Sequence, residues 1–213
     1  MLCMARYVPL LGRAGYRVGF ICSTGQGRLL QYSFKDEPYM PFDGPSYRLP
    51  MPLLPAVFNG KTTPHVGRSP SRRALLCKPL HRLKPYLPSK PYLHADPGRV
   101  THYRKRVPAG AVGLCWSSGR LWQPMHPIKS MRLADMEPIW SRLPCVSLQV
   151  GEDRQELVGT RVIDVLPEAP DWAETAALIG ALRCVVTVDT GVAHLAGSLG
   201  ADVHLALHME PTP

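Results

Sequence analysis

Residues Cys184 to Gly200 constrain this chain more than any other stretch, because they read as a buried strand passing through a short polar turn into a helix of small residues. The run Val185-Val186-Thr187-Val188 is β-branched throughout, which suits a strand covered on both faces, as in the parallel sheets of α/β proteins. Ala193, Leu195, Ala196 and Leu199 then follow at helical spacing, with Gly200 where a helix would stop. Asp189-Thr190-Gly191 is therefore expected at the carboxyl end of a strand, the edge at which open α/β sheets bind ligands.

Such a turn has a chemistry of its own. The first-turn amides of a helix have no intrahelical partner, so an anion is stabilised there. Gly191 leaves no Cβ in its path, Thr190 offers a hydroxyl, and His194 stands one helical turn further on. A diphosphate suits this arrangement, each charge-assisted hydrogen bond contributing about 1.5–3 kcal/mol. The same residues also suit an ordinary strand-turn-helix, with Asp189 or Thr190 as a plain N-cap and His194 a surface or core histidine.

The pattern elsewhere divides the chain unequally. Residues 2–14 read as a helix, Tyr16–Ser23 as a strand and Gly25–Gln31 as a short helix, followed by a proline-dominated stretch from Lys35 to Ala95 in which Met51–Phe58 forms a helical turn. Asp96-Pro97 supplies an N-cap and a first-turn proline for a helix to about Arg106, the expected linker. Strands are then expected at Ala111–Ser117, Cys145–Gln149, Val162–Val165, Cys184–Val188 and Val203–Leu207. Helices are expected at Leu133–Arg142, Asp153–Val158, Asp171–Leu182 and after Gly191, the third opened by an Asp171-x-x-Glu174 capping pattern. This alternation predicts a doubly wound parallel sheet with right-handed crossovers. The expected domains are 1–95, incomplete and carrying a basic proline-rich loop, a linker helix at 96–108, and a Rossmann-like domain at 109–213.

Charge is segregated along the chain. Between Lys61 and Arg106 there are twelve Lys or Arg residues against the single acid Asp96, whereas residues 151–174 carry seven acids against Arg154 and Arg161. The basic tract Arg68–Lys90 is either a footprint for nucleic acid, anionic lipid or a phosphorylated acceptor, or a solvated loop. No aromatic interleaving or nucleic-acid motif accompanies it, so nucleic acid is not the expected partner. Six cysteines at 3, 22, 77, 115, 145 and 184 show no metal or disulfide spacing and read as small hydrophobes in a reducing, cytoplasmic setting. No apolar run reaches the roughly 18 residues of a membrane span.

Further ligand candidates gather at strand ends. Ser117, Ser118 and Gly119 follow the strand at 111–117 and can line a phosphate pocket. Gly151, Glu152 and Asp153 follow the next strand, where a carboxylate, Glu152 first among them, can accept hydrogen bonds from ribose hydroxyls or simply cap a helix.

The segment Val188-Asp189-Thr190-Gly191-Val192-Ala193-His194-Leu195-Ala196-Gly197, preceded by Asp171-Trp172-Ala173-Glu174-Thr175-Ala176-Ala177-Leu178-Ile179, resembles the nucleotide-sugar region of the heptosyltransferase-like glycosyltransferases (family 9), in the version found at the end of bacterial tetratricopeptide-repeat proteins. Weaker collinear matches run through Ala5–Leu11, Pro41–Asp43, Lys90–Leu93, Ala95–Pro97, Val112–Ser117 and Ser147–Gln149. The resemblance implies a GT-B architecture, and a transfer from a nucleoside diphosphate sugar to a glycan, lipid or protein hydroxyl that inverts the anomeric centre without an essential metal or other cofactor. It implies that Lys129, ahead of a helix after the strand at 111–117, neutralises the departing diphosphate. Thr190 and Gly191 would bind phosphate, Asp189 would orient sugar or turn, and His194 would assist. The family's glycine-rich loop with its general-base acid precedes the segment matched by Ala5–Leu10, and its closing helices follow Leu207. The chain therefore reads as truncated at both ends, with no identifiable catalytic residue. A nucleotide-sugar-binding module without transfer activity is the alternative reading, and a basic nucleic-acid-interacting protein the second.

Overall fold

The structure, a computed structural model, describes residues 24–35, 91–119 and 126–207. The expected helix at 2–14, the strand Tyr16–Ser23, the turn Met51–Phe58 and the basic tract Arg68–Lys90 lie outside the described residues. The chain divides into two compact units, residues 1–22 with 34–92 and residues 23–33 with 93–213.

In the second unit the β-branched and apolar runs form four parallel strands: β1 (Val112–Cys115), β2 (Cys145–Ser147), β3 (Cys184–Val188) and β4 (Val203–Ala206). Their order is β2-β1-β3-β4, with Val112 opposite both Cys145 and Cys184, and Val185 opposite Val203. The chain therefore leaves β1 toward one edge and β3 toward the other, an arrangement compatible with a Rossmann-like fold. Right-handed crossovers in opposite directions put the intervening segments on opposite faces of the sheet.

One face is closed by Leu133, Met136, Ile139 and Trp140, which pack on Val112, Leu114, Trp116 and Cys145. On the other face Gly113 matters for what it lacks. A Cβ there would lie 2.7 Å from both Leu148 Cδ1 and Leu182 Cδ1, so the bare backbone lets two leucines settle against β1.

Several helical expectations are adjusted by local chemistry. The expected helix Leu133–Arg142 is a 3₁₀ turn, Leu133–Met136, followed by a separate short helix, Glu137–Trp140, because Pro138 lacks the N–H that a continuous helix needs and fits only a first turn. Residues Glu152–Leu157 form a 3₁₀ turn rather than an α-helix, confined between Gly151 and Gly159, both at positive φ. The expected strand Val162–Val165 contributes one bridge, Val146 to Ile163. Beyond it the guanidinium of Arg154 pairs with Asp164 at 2.6 Å and takes the carbonyls of Leu166 and Pro167, so those acceptors bond a side chain instead of a strand.

The helices α1 (Thr24–Ser33), α2 (Pro97–Arg104) and α5 (Trp172–Ile179) are tied together by one carboxylate. The short helices α3 (His126–Lys129) and α4 (Glu137–Trp140) lie between them in sequence. Asp96 caps α2 by accepting from Arg99 N at 2.8 Å, and Asp171 caps α5 by accepting from Glu174 N at 2.9 Å, as their spacing predicts. Glu174 does not reach back to complete a capping box. Its carboxylate accepts the Tyr103 hydroxyl at 2.8 Å and pairs with Arg99 and Arg28. Burial, followed by that hydrogen bond, pushes the Tyr103 phenol far above its ordinary value. Helix α5 ends at Ile179 instead of Leu182, where Gly180 begins a tightened turn.

Cys115 and Cys145 are buried free thiols and Cys184 is half-buried. Burial raises all three, Cys145 to about 11, so they behave as apolar side chains at neutral pH. Among the described residues no helix is long and apolar enough to cross a membrane.

Candidate functional site

The carboxyl ends of β1 and β3 lie side by side where the strand order reverses, which is the crevice that open parallel sheets use for ligands. From β3 the chain enters α6 (Gly191–Leu199) through only Asp189 and Thr190. The helix closes at Gly200, whose φ of 74° favours glycine and whose N–H reaches the carbonyls of Ala196 and Gly197.

Three residues named from the sequence meet here. Lys129, at the end of α3, donates from Nζ to Asp189 Oδ2 at 2.6 Å. His194 Nε2 lies 4.0 Å from the other oxygen, Asp189 Oδ1. Lys129 and Asp189 are about three-quarters enclosed, with 26% and 28% of their side chains exposed, whereas His194 is 55% exposed.

Thr190 makes no capping hydrogen bond with its side chain. Its hydroxyl lies 3.3 Å from Thr187 Oγ1 and 3.8 Å from Cys115 Sγ, so it ties the turn to the strand ends. Gly191 is explained differently from the sequence expectation. The direction its Cβ would take, assigned there to an approaching anion, is filled by the Trp172 indole, whose Cη2 lies 2.4 Å from that point. The glycine is needed for α6 to start beneath the indole.

Ser117 belongs to a neighbouring cluster at the end of β1. Its hydroxyl donates to Asp153 Oδ2 at 2.6 Å and lies 3.0 Å from His126 Nε2. Ser130 Oγ accepts from the Ser118 amide at 3.0 Å and is 3.2 Å from Ser117 Oγ. The carboxylate brought to this cluster is Asp153; Glu152, one residue earlier, is exposed at the start of its 3₁₀ turn. His126 Nε2 and Ser117 Oγ both face the same Asp153 oxygen, so the imidazole does not stand between serine and acid as a nucleophile relay requires. The cluster is a hydroxyl-rich wall of the crevice.

Gln149 holds that wall in place. Its Oε1 accepts from the amides of Trp116 at 3.2 Å and Ser117 at 3.0 Å, and its Nε2 donates to the Ser117 and Val150 carbonyls. The side chain is buried, so both amides depend on it. Sequence reasoning assigned no site role to Gln149, His126 or Ser130. Their partners are distant in sequence, and no local spacing announces them. Among the described residues no group of three or more His, Cys, Asp or Glu gathers in a way that would hold a metal ion.

No family model, curated protein or solved structure matches this chain.

Proposed function

We infer that the crevice binds the diphosphate of a nucleoside diphosphate sugar, and that the chain is a glycosyltransferase of the GT-B kind or a portion of one. The observation that carries this reading is the approach of Lys129 from α3 and of His194 from α6 to one carboxylate, Asp189, at the adjoining ends of β1 and β3. In a transfer reaction the acceptor oxygen bonds to the anomeric carbon and gives up its proton to a base as the bond from that carbon to the diphosphate breaks, and negative charge builds on the departing oxygen. The Lys129 ammonium, the first-turn amides of α6 and His194 are the groups suited to stabilise that charge. The Ser117, Ser118 and Ser130 hydroxyls, beside the Asp153 carboxylate, suit the uncharged hydroxyls of ribose or sugar. The resemblance to the heptosyltransferase-like family supplies the expectation of inversion without an essential metal. That resemblance matches no residue of this sequence to the base that deprotonates the acceptor.

Calorimetric titration of the full chain with UDP-, ADP- and GDP-sugars tests the reading. At least one is expected to bind, and Lys129→Ala and His194→Ala each to weaken it about tenfold, the loss of one charge-assisted contact of about 1.5 kcal/mol. Unaltered affinity in both variants overturns the assignment.

A further inference from the structure

Resting on that reading of the crevice, the geometry raises the question of what neutralises Lys129 before any ligand arrives. The answer is the protein's own carboxylate. Asp189 reaches Lys129 Nζ with one oxygen at 2.6 Å and faces His194 Nε2 with the other at 4.0 Å, so a single anion holds the ammonium and faces the imidazole. It stands immediately before the first turn of α6, where a helix favours negative charge. Partial enclosure of Lys129 and Asp189 keeps their attraction from being screened as it would be on an open surface.

We propose that Asp189 is a resident counter-anion of the diphosphate subsite, which must release Lys129 before a phosphate can take its place. The two residues come from different connections, Lys129 from the one after β1 and Asp189 from the one after β3. Their contact joins side-chain atoms only, so side-chain rotation can break it. An internal competitor of this kind lowers apparent affinity by the fraction of time the subsite stands open: a pair closed about nine-tenths of the time weakens every phosphate ligand about tenfold. It does so by the same factor for each ligand, because the step precedes binding.

The opposite role is equally definite. If Asp189 instead holds Lys129 in its binding position, removing the carboxylate costs affinity.

The test is titration of the full chain with inorganic pyrophosphate and, separately, inorganic phosphate. The proteins compared are the wild type, Asp189→Asn, Lys129→Ala and the double variant, with Asp189→Ser as a second uncharged replacement and thermal melts to verify folding. Asp189→Asn and Asp189→Ser are expected to bind pyrophosphate about tenfold more tightly than the wild type, with an equal gain for phosphate. In the Lys129→Ala background the same change is expected to have little effect, since the ammonium that Asp189 would release is gone. Weaker or unchanged binding in both uncharged variants overturns the proposal and makes Asp189 a positioning residue. An equal gain without Lys129 also overturns it, because simple charge repulsion then explains the effect. Nucleotide-sugar binding that depends on Lys129 but shows no gain in Asp189→Asn removes this proposal and leaves the functional reading standing. Failure of the wild type and both Asp189 variants to bind any phosphate ligand removes both.

Discussion

After β3 the chain needs two residues to enter α6, whereas the described residues that follow β1, Trp116 to Gly119, enter no helix. The first connection is set mostly by short-range rules, a β-branched strand, a polar turn and a glycine stop, and only its glycine start answers to a distant side chain, the Trp172 indole. The start of the second is held by side chains from elsewhere, chiefly the Gln149 amide reaching Trp116 and Ser117 and the Asp153 carboxylate reaching Ser117. Both end at the same crevice. The difference shows that one wall of a site can be encoded locally while the facing wall depends on hydrogen bonds between distant parts of the chain.

The sharpest way to break this contrast is Gln149→Leu. It removes the acceptor shared by two buried amides while keeping a similar volume, and each stranded donor costs about 1–3 kcal/mol. Urea unfolding is expected to show a loss of about 2–5 kcal/mol. A loss below about 1 kcal/mol would mean that the β1 connection does not rely on that side chain.

Gly191→Ala probes the other wall. The added methyl would fall on the Trp172 indole, and overpacking of this kind costs about 1–3 kcal/mol. Trp172→Leu in the same chain is expected to relieve part of it, so that the double variant is more stable than the sum of the single effects predicts. Strict additivity would show that the indole is not what requires the glycine.

Asp171→Ala is expected to have the smallest effect, about 1 kcal/mol, through loss of the cap on the helix that carries Trp172. Burial alone would raise the Asp171 carboxyl, but the Arg28 hydrogen bond and the Glu174 and Ala173 amides outweigh it and hold the group below its ordinary value of 3.8. Its contribution is therefore complete above that value and drains away as the pH falls through the lower, folded-state value. The difference in urea midpoint between wild type and Asp171→Ala should shrink between about pH 6 and about pH 3. A constant difference would mean that the charge plays no part.

These regions also show what the residue pattern can and cannot convey. The strand Cys184–Val188 is the β-branched run Val185–Val188 with one residue before it, and the caps at Asp96 and Asp171 form as expected, because each is decided within a few residues. The meeting of Lys129 with Asp189 follows from β1 and β3 being neighbours, and strand order is not contained in hydrophobic periodicity. The break at Pro138 was readable from proline chemistry alone. The replacement of a strand by one bridge at Ile163 was not, since it depends on Arg154 reaching the carbonyls of Leu166 and Pro167.

Gly113 carries a consequence of its own. With no side chain at that point, Leu148 and Leu182 sit in a notch of the central strand, and Leu182 lies on the approach to β3. The notch acts as a gauge, setting how closely that approach can lie against β1. A residue of any bulk at 113 would wedge the gauge apart and splay the rim at the far end of the same strands, altering the crevice from a place no ligand touches.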